Sequence, residues 1–177
     1  MHERRAVRGI TLVETTVAST LAAVALATAA PSFRDTLARR AVEGTAAQLA
    51  ADLQYVRSEA VARNLPLRIG FAQADGASCW VIHSGGAGDC RCSADAATVC
   101  EPGATEFKTV QLPAGGRVQV TSNAASMLFH PVRGTVAPTG TLHVVGEGRL
   151  EVRHVVNLLG RARSCSPARA LPGYAAC

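Results

Sequence analysis

The sequence predicts an α+β chain, one long N-terminal helix followed by an antiparallel β-body. Three observations lead there. Helix-forming sequence runs without a break in character from Ile10 to Arg63. Past Pro66 the pattern changes to short alternating runs separated by Gly and Pro. All six cysteines, Cys79, Cys90, Cys92, Cys100, Cys165 and Cys177, lie in the last hundred residues, outside the helix. With 177 residues and 48% apolar composition the chain can bury one modest core, and aromatics at 4% point to thin β-structure and small-residue helix packing. A formal charge of +5 admits a polyanion as partner, although a solvated basic face explains most such excesses.

The helix begins behind a short basic head, Arg4, Arg5 and Arg8 against Glu3, and from Ile10 to Pro31 its one charged residue is Glu14. As a helix, residues 10–31 would span about 33 Å, enough to cross a hydrocarbon core of roughly 30 Å once. Arginines before the span predict a cytoplasmic N-terminus and an exported body. A removable secretory signal is the competing reading, with Ala27-Thr28-Ala29 as its cleavage site. Two features oppose it: a carboxylate at Glu14 is costly in lipid and useless in a discarded segment, and the helical pattern continues beyond Pro31. There Leu37, Val42, Ala46, Leu49, Leu53, Val56 and Ala60 form an apolar stripe, with Arg39, Arg40, Glu43, Gln48, Asp52 and Arg57 mostly off it. Asn64 and Pro66 end the helix.

Leu67–Phe71 and Cys79–His83 read as a β-hairpin turning at Ala74-Asp75-Gly76-Ala77. Further strands are expected at Phe107–Leu112, Arg117–Thr121, Ser126–His130, Gly140–Val145 and Leu150–Leu159. Between them, Ser84–Gly103 is a loop poor in large apolar groups that needs disulfides to order it. The even cysteine set points to an oxidising compartment, and Cys90-Arg91-Cys92 is one residue short of the paired spacing of a zinc site. Six cysteines allow 15 pairings; the expected ones are Cys165–Cys177, Cys79–Cys90 and Cys92–Cys100. His83, His130, His143 and His154 stand singly, as strand-face residues rather than ligands. Neither a nucleophile with a base partner, nor paired carboxylates, nor a phosphate-cradling loop is present, so no catalytic residue, metal or cofactor is expected.

Gly9-Ile10-Thr11-Leu12-Val13-Glu14 resembles the processing motif of type IV prepilins. The resemblance implies a leader over residues 1–9, cut after Gly9 by a membrane-bound prepilin peptidase, with Ile10 then methylated in place of the usual Phe. It implies an inner-membrane and filament-core helix over residues 10–31, with Pro31-Ser32-Phe33 at the bend position, and a periplasmic or extracellular body over residues 32–177. Within a bundle of such helices, Glu14 would be neutralised by a neighbouring subunit's N-terminus and so fix axial register. The wider layout is similar to the GspH/FimT family of minor pilins and pseudopilins, through Ala51–Ala60 at the helix end and Phe129-His130-Pro131-Val132-Arg133-Gly134 in the body. Read bottom-up, Asp52, Arg57 and Glu59 in the first block form a satisfied surface over Leu53 and Val56.

From Arg149 onward, Arg149, Arg153, Arg161, Arg163 and Arg169 face only Glu151. Arg161 and Arg163 would point to one side of an extended strand and can grip phosphate through charge-assisted bonds. Gly160-Arg161-Ala162-Arg163 also looks like the GRxR motif of FimT-type pilins, which bind DNA in natural transformation. That resemblance makes Arg161 and Arg163 phosphate contacts and gives Gly160 the role of allowing close approach. The plain alternative is an edge strand kept soluble by its arginines. The reading is a minor pilin of a type IV pilus, with other pilins, the prepilin peptidase, the inner membrane and DNA as partners. Its rivals are the H-type minor pseudopilin of a type II secretion system and a purely structural, pilus-priming minor pilin.

Overall fold

The computed structural model describes residues 11–93, 97–167 and 171–177. Gly9 and Ile10 of the expected processing motif, and Arg169, lie outside them. α1 (Leu12–Arg63) runs without interruption through Pro31. Thr11 caps it, its Oγ1 accepting the Glu14 N–H at 3.3 Å. The hydroxyls of Thr15, Thr16, Ser19 and Thr28 donate to carbonyls three or four residues earlier, so their polarity is satisfied within the helix. At the other end Asn64 turns left-handed with φ 51°. Its N–H reaches the Val61 carbonyl at 3.2 Å while the Leu65 N–H reaches that of Ala60 at 3.0 Å. This paired closure ends the helix one residue before Pro66 could continue it. The described residues fall into two units, one ending at Leu37 and the other running Ala38–Cys177.

In the second unit, β1 (Leu67–Ala74) and β2 (Ala77–Ser84) form the expected hairpin. Asp75 and Gly76, with φ of 50° and 77°, supply the two left-handed residues that a tight hairpin turn demands. There follow β3 (Cys90–Arg91), β4 (Val99–Cys100), β5 (Glu106–Leu112), β6 (Val118–Ser122) and β7 (Ser126–Phe129). β8 (Val136–Ala137), β9 (Gly140–Gly146), β10 (Glu151–Val156), β11 (Ala162–Ser166) and β12 (Ala175–Ala176) complete the order. One sheet runs β5-β2-β1-β7-β8, another β12-β11-β10-β9-β6, and β3 pairs with β4. Pairing is antiparallel except where β12 joins β11. The strand expected over Leu150–Leu159 stops at Val156, because the next residues form a turn.

The core is built on a single stripe of α1. Val42, Ala46, Leu49, Leu53, Val56 and Ala60 are at most 2% exposed, and their four-three spacing keeps them on one face. They pack against Leu67, Ile69, Trp80, Ile82, Met127 and Phe129 of the first sheet and Val118, Val120, Leu142, Val144, Val152 and Val156 of the second. Leu37, which the sequence pattern placed on this stripe, is 37% exposed.

Asp52 corrects the sequence reading of a satisfied surface. It is 2% exposed, and its carboxylate accepts Trp80 Nε1–H at 2.9 Å and Lys108 Nζ–H at 2.5 Å. A buried carboxylate survives only with such partners, and here each comes from the sheet. Trp80 lies on β2 and Lys108 on the neighbouring β5, so one helical side chain fixes where α1 sits across two strands. Nearby, the Arg63 guanidinium stands 5.1 Å from the centre of the Phe107 ring, a second tie between the helix end and β5.

The disulfides are Cys79–Cys92, Cys90–Cys100 and Cys165–Cys177 among the described residues. The C-terminal pairing is the one expected, whereas Cys79–Cys90 and Cys92–Cys100 are replaced. Local strand pairing decides this: Cys90 stands opposite Cys100 in the β3–β4 ladder, with Cα atoms 4.0 Å apart. Cys92, just past the end of β3, then reaches Cys79 on β2 across 6.1 Å. Cys79, Val81, Cys90 and Cys92 make a small second cluster on the face of β2 opposite the main core.

His154 on β10 is 1% exposed and its Nδ1 lies 2.8 Å from Ser164 Oγ. Burial pushes its pKa below 6.5, with a weaker upward pull from the Ala46 backbone. The neutral ring is therefore the folded form, and the unfolded chain binds a proton more readily.

Two tests follow from this packing. Asp52→Ala leaves the buried Trp80 N–H without its acceptor and releases Lys108 to solvent, and is expected to cost about 2 kcal/mol. Denaturant unfolding followed through Trp80, the single tryptophan of the chain, reads this directly. Because the His154 pKa is depressed, its contribution is present above pH 6.5 and is lost as pH falls through the folded value. Stability should decline from pH 7 to pH 5.5, and His154→Gln should flatten that decline.

Candidate nucleic-acid interface

The residues singled out near the C-terminus sit on the hairpin that joins β10 to β11. Strand β10 ends at Val156, and Leu158, Leu159 and Gly160 make a three-residue loop. Gly160 has φ +71°, the left-handed residue that closes such a loop. Asn157 locks it three times over. Its carbonyl accepts the Gly160 N–H at 2.9 Å and its N–H reaches the Arg161 carbonyl at 3.1 Å. Its side-chain Oδ1 accepts the Arg161 N–H at 3.0 Å. Sequence reasoning missed Asn157, although an Asn three residues before a Gly is ordinary turn chemistry.

Gly160 has a tighter duty than leaving room for a ligand. A Cβ there would stand 2.6 Å from the Gly134 carbonyl oxygen and 3.2 Å from Cδ and Nε of Arg57. Gly134, at φ +58°, meets the same Arg57 Nε, 3.2 Å from where its own Cβ would be. Three blocks far apart in sequence thus meet at one point: the helix end, the 129–134 segment and the Gly160 turn. The Val136 N–H of β8, donated to the Leu158 carbonyl at 2.9 Å, ties the strand that follows the second block to the third.

Arg161 and Arg163 are both exposed, and neither has a carboxylate partner among the described residues. Arg163 pairs across the ladder with Val155 and Ala162 with Val156. Ala162 packs on the core, so Arg163 faces the other way, out from the sheet. Arg161 immediately precedes β11, its backbone held in the turn by Asn157.

The other arginines are not equivalent. Arg153 bonds Glu151 through Nε at 2.6 Å and an Nη at 3.4 Å, while His143 Nδ1 lies 2.8 Å from the same carboxylate. The hydrogen bond from Arg153 holds the Glu151 pKa below its ordinary value, so Arg153, unlike Arg161 and Arg163, has a carboxylate partner. Arg149 stands at the far end of β10 in a turn, with φ 69°. Below the two free arginines, Cys165–Cys177 fastens the C-terminal strand β12 to β11, and Leu171 of the intervening segment is fully buried. Among the described residues no His, Cys, Asp and Glu cluster could hold a metal.

In the first unit, Glu14 lies exposed in the opening turn of α1, where a carboxylate suits the positive end of the helix dipole. Among the described residues it has no cationic partner. An 18-residue window of α1 has mean hydropathy 1.5 and none of it is buried, so the helix is long and apolar enough to cross a membrane.

The sequence profile described as Type II transport protein GspH matches residues 45–160, which include the helix stripe from Ala46 to Ala60, Asp52, Arg57, Gly134 and Gly160 and end before Arg161. No curated protein is significantly similar in sequence. Among solved structures, two crystal forms of the type IV minor pilin FimU from Pseudomonas aeruginosa are similar. One has 19% identity and TM-score 0.54 over 77% of this chain and 96% of that one. The other has 18% identity and TM-score 0.51 over 75% and 98%. The minor pseudopilin EpsH of the Vibrio cholerae Type 2 Secretion System also matches, with 13% identity and TM-score 0.48 over 72% and 98%. The likeness to FimU concerns the fold alone, a helix packed on antiparallel-rich sheets. With the profile covering well over half of its length, the chain belongs to the GspH family of minor pilins and pseudopilins.

Proposed function

We propose that this chain is a filament subunit that binds DNA without sequence preference through Arg161 and Arg163, in the manner of a minor pilin serving natural transformation. The observation that carries the reading is the pair of exposed, uncompensated guanidinium groups on one rigid hairpin, beside an Arg153 already committed to Glu151. Free guanidinium forks bond phosphate oxygens and carry no base information, so affinity would rest on counterion release and fall steeply with salt. Two arginines make a weak site, and several subunits along a filament would add avidity. Gly160 supports the site indirectly: its packing on Gly134 and Arg57 holds the turn from which Arg161 projects.

Assembly would follow the prepilin route, with the leader removed after Gly9, Ile10 as the new first residue and the apolar part of α1 held in the inner membrane. Glu14 would then meet the amino group of a neighbouring subunit, a pairing supported by its lack of any cation within the described chain. One observation favours a second reading. The matching profile is described as a type II transport protein, which agrees with a pseudopilus subunit that has partner surfaces and no DNA site.

Gel-shift measurements on the full chain in non-ionic detergent separate these readings. The Arg161→Gln/Arg163→Gln variant should lose about tenfold or more in DNA affinity and shallow the salt dependence by roughly two phosphate contacts. Wild-type-like binding by the variant would reject the arginine assignment and leave the secretion reading. For assembly, Glu14→Ala should reduce incorporation into filaments several-fold, and its normal co-purification with them would sink the docking role.

A further inference from the structure

The hairpin that carries Arg161 and Arg163 also holds apolar surface out in solvent. Leu158 is 60% exposed and Leu159 65%, side by side at the tip, and Val155, the ladder neighbour of Arg163, is 43% exposed. Single exposed leucines need no explanation, but two adjacent ones held in a fixed turn do. The turn is not free to fold them away. Asn157 closes it with three hydrogen bonds, the Leu158 carbonyl is bound by the Val136 N–H, and Gly160 is wedged against Gly134 and Arg57. Across that contact the 129–134 segment adds Val132, at 75% the most exposed large apolar residue of this region. Val155 and Arg163, paired across the ladder, therefore share one face, and Arg161, Leu158 and Leu159 belong to the turn that continues from it.

A ligand that uses both must offer apolar surface next to negative charge. Duplex DNA keeps its base faces stacked, so apolar side chains reach them only by prying a base step apart, at a cost of about a few kcal/mol per step. A single strand, or the unstacked end of a duplex, presents base faces beside each phosphate. We infer that the β10–β11 hairpin is a single-strand site, in which Arg161 and Arg163 hold phosphates while Leu158 and Leu159 cover unstacked bases. The inference rests on the DNA-binding reading and narrows its substrate class. Burying about half of one leucine side chain against a base would favour the single strand about tenfold over a duplex of equal charge.

Fluorescence anisotropy on the full chain in non-ionic detergent tests this, with a mixed-sequence 20-nucleotide single strand and the corresponding fully paired, blunt-ended duplex, at one salt concentration. The expected result is about tenfold tighter binding of the single strand by the wild type, and near-equal affinities in Leu158→Ser/Leu159→Ser. Circular dichroism of the variant checks that the body remains folded, and the wild-type comparison stands without the variant. Equal wild-type affinity for both probes would overturn the single-strand assignment while leaving DNA binding intact. So would a variant that keeps the full preference, or a duplex preference in the wild type. Failure of the wild type to bind either probe would instead remove the DNA reading itself, and this inference with it.

Discussion

The buried carboxylate of Asp52 is the constraint on which the arrangement of the body depends. An apolar stripe on a helix can slide along or rotate over an apolar sheet at small cost, because dispersion and burial are not directional. A carboxylate removed from water cannot, since it is tolerable only where its donors are. With Trp80 on β2 and Lys108 on β5 as those donors, α1 has one axial position relative to the first sheet. Everything downstream that touches the helix inherits that position.

Arg57 lies five residues beyond Asp52, and it is the residue against which both Gly134 and Gly160 pack. The site's geometry is therefore referred to the helix, although its exposed arginines lie a hundred residues away in the chain. The glycine of the GRxR pattern is explained by this junction: a side chain there would strike the Gly134 carbonyl whatever the hairpin binds. The arginines answer to a different requirement, since neither is used by the fold. A residue type forced by packing and residue types left idle by packing stand next to each other in four positions, and only the idle ones are available for a partner.

The C-terminal segment completes the support from the other side. Leu171 is buried in the main core, and the Cys165–Cys177 bond with the short β12 pairing fixes the far end of β11. The hairpin is thereby held at its turn by Asn157 and Gly160 and at its base by the disulfide. Such a platform binds with little ordering cost, which matters for a site with few contacts.

The architecture was legible in the sequence because it rests on periodicity. The four-three stripe from Val42 to Ala60 and the switch to alternation after Pro66 each report a local geometry, and the Asp75-Gly76 turn and the Asn64 cap depend only on neighbouring residues. The two-residue spacing of Arg161 and Arg163 was visible for the same reason, though not that they are free. What tertiary structure decided was every outcome set by a partner distant in the chain. Asp52 reads as a surface charge until Trp80 and Lys108 are placed against it. Arg153 looks equivalent to Arg163 until the β9–β10–β11 ladder puts Glu151 and His143 beside it. The middle disulfides followed the β3–β4 register, which two-residue strands do not announce. Leu158 and Leu159 read as strand because leucines favour burial, and the turn at Asn157 and Gly160 instead held them in solvent. Sequence records what each residue prefers, and the fold settles which preferences are met together.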